Sequence, residues 1–271
     1  MGIQLGTSTI SKVYLGNTEI QKVYLGSNLV YSSAFNPLSL SPSLWLDSAD
    51  LSTITLSGNK ITQINDKSNN GNNFYSSNLT YSPIYDSGSM LLNGSQYIYS
   101  DTIMDLGIYG SNIEFEMFFV LKSTNTTLNN NIMVKRQWWS SDAEILLYNK
   151  NGLLSSRKYA QNGIFTPPTI NQVNTTGLID NQLSIVNSYF SSNKLELNYN
   201  NANYNSNTVD NGGLTRFNYP MVIGTVEFWN ASAYGGLYGL IGRLYEVLFF
   251  NYKLSEGERT NVYNYLNNKW N

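Results

Sequence analysis

Two acidic residues on one predicted strand form the clearest pair in this sequence with a spacing suited to acid–base chemistry. Glu114 and Glu116 lie two residues apart within residues 113–119. Side chains two apart on a strand share a face, so we expect both carboxylates on one side, about 7 Å apart. Such a separation lies nearer the range of inverting than of retaining glycosidases. The interpretation that we favour is a solvated outer face opposite a phenylalanine-rich inner face.

The residue types that are missing limit the chemistry further. The chain of 271 residues contains no histidine and no cysteine. This composition excludes Ser-His-Asp and Cys-His catalysis, thiolate zinc sites and disulfide bonds. We therefore predict a protein that is not an enzyme and has no bound cofactor.

Four oxygen-bearing side chains raise the question of calcium, which requires six to eight hard oxygen ligands. They are Asp47, Asp50, Asp66 and Asn69, and no loop places them in the order of a known calcium-binding motif. Asp and Asn also form turns by hydrogen bonding to their own backbone. We favour turn formation, and calcium remains the alternative.

Large aromatic residues in two segments are candidates for contact with a glycan or a partner. Trp138 and Trp139 are adjacent, so on a strand they face opposite sides and one of them is available to stack on a sugar ring or a subunit. Trp229, Tyr234 and Tyr238 form a second candidate surface. The alternative in both cases is that these rings cover one end of the fold.

The composition excludes two classes of partner. Charged residues make up only 13% of the chain, about half the usual ~25%, and the net charge is −2. Nucleic-acid binding depends on neutralising phosphates, so we expect none. No apolar run approaches the ~20 residues that a membrane-spanning helix needs. The N-terminus also lacks the pattern of a signal peptide, so we expect synthesis in a cytosol.

The elements that would position these residues are clearest at the C-terminus. Residues 243–252 are rich in aliphatic and aromatic side chains, which predicts a central strand packed on both faces. Ser255 and Glu258 have capping-box spacing and predict the start of a helix. The apolar stripe of that helix is Val262, Leu266 and Trp270. We assign Trp45 and Trp270 to the core.

The N-terminus contains a repeat with a period of ten residues. Residues 10–16 are echoed by residues 20–26, and each copy predicts a strand, a tight turn and a strand. One interpretation is a β-meander packed on the main domain; we favour a module that attaches to a larger assembly or forms trimers. The residues expected to make the attachment are Val13, Tyr14, Leu15, Val23, Tyr24 and Leu25.

A Pro- and Ser-rich connector at residues 32–43 separates this repeat from the rest of the chain. We predict an attachment module with its linker at residues 1–35 and a second domain at residues 36–271. Many short β signals with Asn, Gly and Ser turns predict an antiparallel sandwich or jelly roll. The Asn-rich residues 198–212 are expected to form an exposed loop or the end of a hairpin.

Several motifs of the second domain carry a family resemblance, at residues 44–50, 65–72, 91–94, 242–247, 254–259 and 265–270. Together they resemble concanavalin A-like lectin/glucanase domains of the laminin-G-like type, over about residues 40–271. The resemblance implies an all-β, antiparallel two-sheet jelly-roll sandwich whose concave face or rim loops contact glycans, sometimes beside calcium. Glucanases of this fold carry Glu-x-Asp-x-(x)-Glu on one strand. Here Glu116 replaces the middle acid, and Phe118 and Phe119 stand where the third would be.

The N-terminal repeat resembles short modules of tailed-phage virion proteins. This resemblance implies a non-enzymatic structural protein of the virion, in a fibre, the tail or the capsid decoration, that displays a lectin-like domain for host attachment. We expect other virion proteins as partners through the repeat, glycans as ligands, and a homo-oligomer such as a trimer. Two alternatives remain: a polysaccharide-degrading enzyme of the same fold, and an assembly protein that binds no glycan.

Overall fold

The structure of the chain is a computed structural model. It describes residues 4–5, 8–9, 13–20, 22–25, 28–32, 35–100, 114–125, 130–136, 143–150, 153–160, 169–176, 178–191, 193–201, 203–208, 220–225 and 239–271.

Three consecutive β-hairpins form the N-terminal part. They are β1 (Gln4–Leu5) with β2 (Ser8–Thr9), β3 (Val13–Leu15) with β4 (Thr18–Ile20), and β5 (Lys22–Leu25) with β6 (Asn28–Ser32). Gly16 has a φ of 62° in the turn of the second hairpin, a conformation that glycine adopts without strain. Within the described residues, each hairpin strand pairs with its hairpin partner and not with the main sheet. The predicted strand, turn and strand units are confirmed, whereas the division at residue 35 stays a prediction.

All further strands within the described residues belong to one antiparallel ladder. In chain order they are β7 (Leu44–Asp47), β8 (Ile54–Ser57), β9 (Lys60–Ile64), β10 (Phe74–Tyr75), β11 (Ile84–Asp86), β12 (Ser89–Asn93), β13 (Ile98–Ser100), β14 (Glu114–Ser123), β15 (Asn130–Arg136), β16 (Ala143–Lys150), β17 (Leu153–Ala160), β18 (Thr169–Thr176), β19 (Leu183–Ser191), β20 (Lys194–Tyr199), β21 (Asn203–Thr208), β22 (Met221–Ile223) and β23 (Ile241–Phe250).

Strand β23 is central, as predicted. It pairs with β14 along one edge, and with β12 and then β7 along the other. From β14 the ladder continues through β19, β20 and β21. From β12 it continues through β11, β9, β10, β13, β22, β15, β16, β17 and β18, while β8 pairs with β9.

The two ends of this ladder meet through side chains. Asn205 Nδ2 donates to the carbonyl oxygen of Asn174 at 2.6 Å, and Asn207 Nδ2 donates to that of Gln172 at 3.0 Å. The sheet is therefore nearly closed, with amide side chains bridging β21 and β18. The antiparallel all-β class is confirmed. The pairing does not divide into the two predicted sheets, because β12, β11, β9 and β10 connect β23 to β13 in one continuous ladder. Of the Asn-rich residues 198–212, residues 198–201 and 203–208 belong to the β20–β21 hairpin, and the others lie outside the described residues.

Alternating side chains of β14 separate two layers. Phe115, Met117 and Phe119 point into the core that the sheet encloses, whereas Phe118 and Val120 face a C-terminal helix on the outside. Because both faces of the strand are covered, its sequence is almost continuously apolar.

The outer layer is helix α1 (Glu256–Trp270). Its capping box is confirmed, since Ser255 Oγ accepts from the backbone N–H of Glu258 while the Glu258 carboxylate accepts from that of Ser255. Val262 and Leu266 are buried against the sheet. Among the described residues, no helix is long and apolar enough to cross a membrane.

A buried carboxylate holds the C-terminal end of α1. Glu246 accepts from the indole N–H groups of Trp45 and Trp270, both at 2.7 Å. It also accepts from Lys269 Nζ at 2.8 Å and from the Tyr265 hydroxyl at 2.9 Å. Trp45 is buried as predicted, whereas Trp270 is half-buried because it lies on the last turn of the helix.

Candidate functional site

The two acidic residues of β14 do lie on one face, but the prediction that this face is solvated is wrong at Glu116, because α1 covers it. The Glu116 side chain is fully buried beneath α1. It accepts from Arg259 Nε at 2.6 Å, from Asn187 Nδ2 at 2.8 Å and from the backbone N–H of Leu254 at 3.0 Å. Glu114 is exposed and accepts from the Tyr189 hydroxyl at 2.7 Å. Glu116 thus docks the helix and is not part of an open groove that could admit a polysaccharide.

Two of the candidate calcium ligands form ion pairs with a lysine. Lys67 Nζ lies 2.8 Å from Asp47 Oδ2 and 2.7 Å from Asp50 Oδ2. Hydrogen bonds from Lys67 and Ser52 lower the pKa of Asp50 to about 2. These carboxylates already face a positive charge supplied by the chain itself.

The other two candidates organise a turn. Asp66 Oδ1 accepts from the backbone N–H groups of Trp45 at 2.9 Å and Ser68 at 2.8 Å, and Asp66 Oδ2 accepts from that of Asn72 at 3.1 Å. Asn69 has a left-handed φ of 69°, which asparagine tolerates in turns. This geometry corresponds to the turn formation that the sequence favoured.

The aromatic residues singled out in the sequence lie outside the described residues. They are Trp138, Trp139, Trp229, Tyr234 and Tyr238. The backbones of the proposed attachment residues lie in β3 and β5. The Leu15 side chain is 75% exposed, and those of Val13 and Val23 are half-buried, while the side chains of Tyr14, Tyr24 and Leu25 are not described.

The structure brings together a cluster that sequence reasoning missed, four tyrosines on the outer face of β10 and β13. Phe74 and Ile98 point into the core, so their neighbours Tyr75, Tyr97 and Tyr99 point outward. Tyr75 and Tyr99 are directly opposite each other in the register of the two strands. The fourth ring, that of Tyr81, comes from the turn that follows β10. We call these four residues the tyrosine patch.

A tight turn holds Tyr81 next to Tyr97. Asn78 Oδ1 accepts from the backbone N–H of Thr80 at 2.9 Å, and the Asn78 carbonyl oxygen accepts from that of Tyr81 at 2.9 Å. The Tyr81 carbonyl oxygen in turn accepts from the backbone N–H of Tyr97 at 2.9 Å. The hydrogen bonds of this Asx turn thus fix the backbone of Tyr81 and, with it, the position of the Tyr81 ring.

Ring geometry gives the patch its shape. The Tyr81 and Tyr97 rings are stacked, with centroids 5.9 Å apart and planes at 22°, and Tyr99 lies 6.3 Å from Tyr97 at 45°. Tyr97 is only 7% exposed, whereas Tyr75, Tyr81 and Tyr99 are half-buried. Burial, with smaller contributions from Tyr99 and Tyr81, raises the pKa of Tyr97, so its hydroxyl stays protonated at neutral pH.

Close backbone packing lies next to the patch. Gly224 follows β22, which pairs with β13, and it has a φ of 105°. A Cβ atom there would lie 2.7 Å from the Gln96 carbonyl oxygen. The backbone N–H of Leu240 donates to the Gly224 carbonyl oxygen at 2.9 Å. Gly224 and Leu240 therefore lie beside each other, next to the residues that precede β13.

One signal in the sequence could have indicated the patch. Tyr97 and Tyr99 alternate around Ile98 in a strand with turn residues before it, which indicates two outward rings. The contribution of Tyr81 had no such signal, because it depends on a backbone hydrogen bond between the turn that follows β10 and Tyr97.

Comparison with known proteins supports the fold. No protein-family model matches the chain, and no curated protein sequence matches it either. Among solved structures, it is similar to the binding domain of Paraclostridial Mosquitocidal Protein 1, with a TM-score of 0.60 and 16% identity over 84% of this chain and 52% of that one. It is also similar to the receptor binding domain of botulinum neurotoxin D, with a TM-score of 0.57 and 15% identity over 84% and 53%.

A third similar structure is the binding domain of botulinum neurotoxin DC in complex with SialylT, with a TM-score of 0.55 and 12% identity over 84% and 52%. This chain spans about half the length of these domains. At such identities the likeness establishes a shared fold, and function has to be argued from the site.

Proposed function

We propose that this chain is a non-enzymatic receptor-binding protein that recognises saccharides through the tyrosine patch. The observation that carries the proposal is the half-exposed cluster of Tyr75, Tyr81 and Tyr99 around the stacked support of Tyr97. Amphipathic rings of this kind stack on the apolar face of a sugar while their hydroxyl groups hydrogen bond to it. The fold shared with binding domains of toxins adds support, as does the use of Glu116 for packing.

We also propose that the fold is of the concanavalin A-like type. The nearly closed antiparallel sheet with an outer C-terminal helix is compatible with a concanavalin A-like jelly roll. In that frame, Trp138, Trp139 and the segment with Trp229 would extend the binding surface beyond the tyrosine patch.

The N-terminal hairpins suggest a means of attachment. Two-stranded hairpins are marginally stable on their own in water. Here Leu15 is 75% exposed, and Val13, Ile20 and Val23 are half-buried. We propose that these side chains contact other virion proteins of a phage and that the chain works as a homo-oligomer, such as a trimer, on the particle.

A glycan array tests the binding function. The full chain and its Tyr81→Ala variant would be applied to immobilised saccharides, and soluble polysaccharides incubated with the chain would be sized. We expect binding that weakens in the variant, and polysaccharides of unchanged length. Shortened polysaccharides would favour the enzyme alternative, and absence of binding to every saccharide would favour a pure assembly role.

Particle incorporation tests the attachment separately. A chain that lacks residues 1–32 would be expressed during infection in place of the full chain, and purified particles would be probed for it. We expect the truncated chain to be absent from the particles. Its incorporation at the level of the full chain would contradict the proposal.

A further inference from the structure

The tyrosine patch divides into a support and a contact surface. Tyr97 is almost fully buried and stacked on Tyr81, so it serves to hold that ring. Tyr81 and Tyr99 keep exposed area, and the rings of both lie against that of Tyr97. With Tyr75 opposite Tyr99, the contact surface extends over more than one ring and suits more than one sugar unit.

The charge around these rings is the second observation. The two segments that form the patch, residues 74–82 and 93–100, contain no acidic or basic residue. The residues opposite Tyr75 and Tyr99 on the adjoining strands are Gln63 and Val222, which are uncharged as well. An acidic sugar placed here would lose hydration of its carboxylate, and these residues offer no cation in return.

Among the described residues, the polar side chains that flank these tyrosines within the two segments are neutral. Exposed Asn78 and Asn93 and half-exposed Ser95 flank the tyrosines in the chain. Hydroxyl and amide groups match the hydrogen bonds of neutral sugar hydroxyls, which both donate and accept.

From these observations we infer that the tyrosine patch binds an uncharged saccharide of at least two sugar units and discriminates against sialylated and other acidic chains. The inference rests on the proposed function and names the ligand class of the same site. It also places recognition on an outer sheet face, in contrast to the concave face or rim loops that the family resemblance points to.

Calorimetric titration with matched ligands tests this inference. The probes are neutral oligosaccharides that bind in the array, each compared with its sialylated counterpart. The proteins are the full chain, Tyr81→Ala, Tyr81→Phe, Tyr99→Ala, and Tyr263→Ala as a control. Tyr263 is also half-buried but lies on α1, away from β10 and β13. Thermal unfolding of each variant shows whether it remains folded.

We expect the full chain to bind the neutral member of each pair about tenfold or more tightly, with an affinity that is insensitive to salt. Loss of a stacking ring in Tyr81→Ala or Tyr99→Ala should weaken binding by about three- to tenfold, while Tyr81→Phe and Tyr263→Ala stay close to the full chain.

Other outcomes separate the two proposals. Tighter binding of the sialylated member would overturn this inference while saccharide binding at the tyrosine patch stands. Neutral binding that the tyrosine variants leave unchanged would overturn this inference and would also contradict the proposal that the patch is the binding site. If no saccharide of either kind is bound by the folded full chain, the proposed function fails and this inference fails with it.

Discussion

Glu116 and Arg259 connect the C-terminal helix to the sheet through an ion pair whose carboxylate is fully buried. The same carboxylate accepts from the backbone N–H of Leu254 and from Asn187, so four donor atoms converge on one side chain. Removing one partner of a buried pair leaves the other charge unpaired in a poorly solvated place, which costs far more than the pair contributes.

We predict that Glu116→Ala lowers the free energy of unfolding by about 3–5 kcal/mol, as measured by urea denaturation. The control is Glu114→Ala on the same face of the same strand. Glu114 is exposed and forms one hydrogen bond to Tyr189, so its loss should cost about 1 kcal/mol. Equal losses for the two variants would contradict the structural role assigned to Glu116.

Asp50 gives a prediction about pH. Hydrogen bonds from Lys67 and Ser52 lower its pKa from 3.8 to about 2. Because the folded state has the lower pKa, the stabilisation is present above the unfolded value and is lost as pH falls through the folded value. Exposure of this carboxylate limits the contribution to about 1 kcal/mol or less.

We expect the stability difference between the natural chain and Asp50→Asn, measured by urea denaturation, to shrink between pH 4 and pH 2. A constant difference over that range would count against the ion pair.

At the level of secondary structure, side chains rather than backbone pairs join β18 to β21. Asn205 and Asn207 donate to backbone carbonyl oxygens of β18, whereas the intervening residue Ser206 alternates to the other side of its strand. A ladder closed by side-chain amides is easier to open than one closed by backbone pairing, because exposed amides also hydrogen bond to water.

We predict that Asn205→Ala and Asn207→Ala each lower the free energy of unfolding by about 0.5–1.5 kcal/mol. Hydrogen exchange of the β18 amides should also become faster in both variants, since the edge of that strand loses its cover. Ser206→Ala is the matched control and should leave exchange unchanged. Faster exchange in the control alone would show that the junction is held by other contacts.

The whole molecule combines a nearly closed sheet with hairpins that are outside its ladder. Stability of the main sheet comes from the apolar core that it encloses and from the outer layer under α1. The described hairpin residues add no strand to this ladder.

We therefore predict that removing residues 1–32 leaves the melting temperature of the remaining chain unchanged within measurement error. The truncated chain keeps Phe35, because the Phe35 ring packs edge-on against Tyr265 of α1. A clear drop in melting temperature after the truncation would indicate that the hairpins are an integral part of the main fold.

Local sequence patterns were sufficient to predict the elements that short-range interactions define. Apolar residues on both faces of residues 243–252 indicated the central strand, and Ser255 with Glu258 indicated the helix start. The ten-residue repeat indicated the hairpins. Each of these depends on residues a few positions apart, whose geometry follows from the strand and helix periods.

Only the tertiary structure decided the closure of the sheet, the burial of Glu116 and the assembly of the tyrosine patch. Glu116 meets Arg259 across 143 positions of the chain, and Tyr81 reaches Tyr97 because the turn that follows β10 hydrogen bonds to the residue before β13. Such contacts depend on the register and order of strands far apart in sequence. A side-chain pattern with a period of two specifies which face a residue occupies, but it does not specify the neighbour that it meets there.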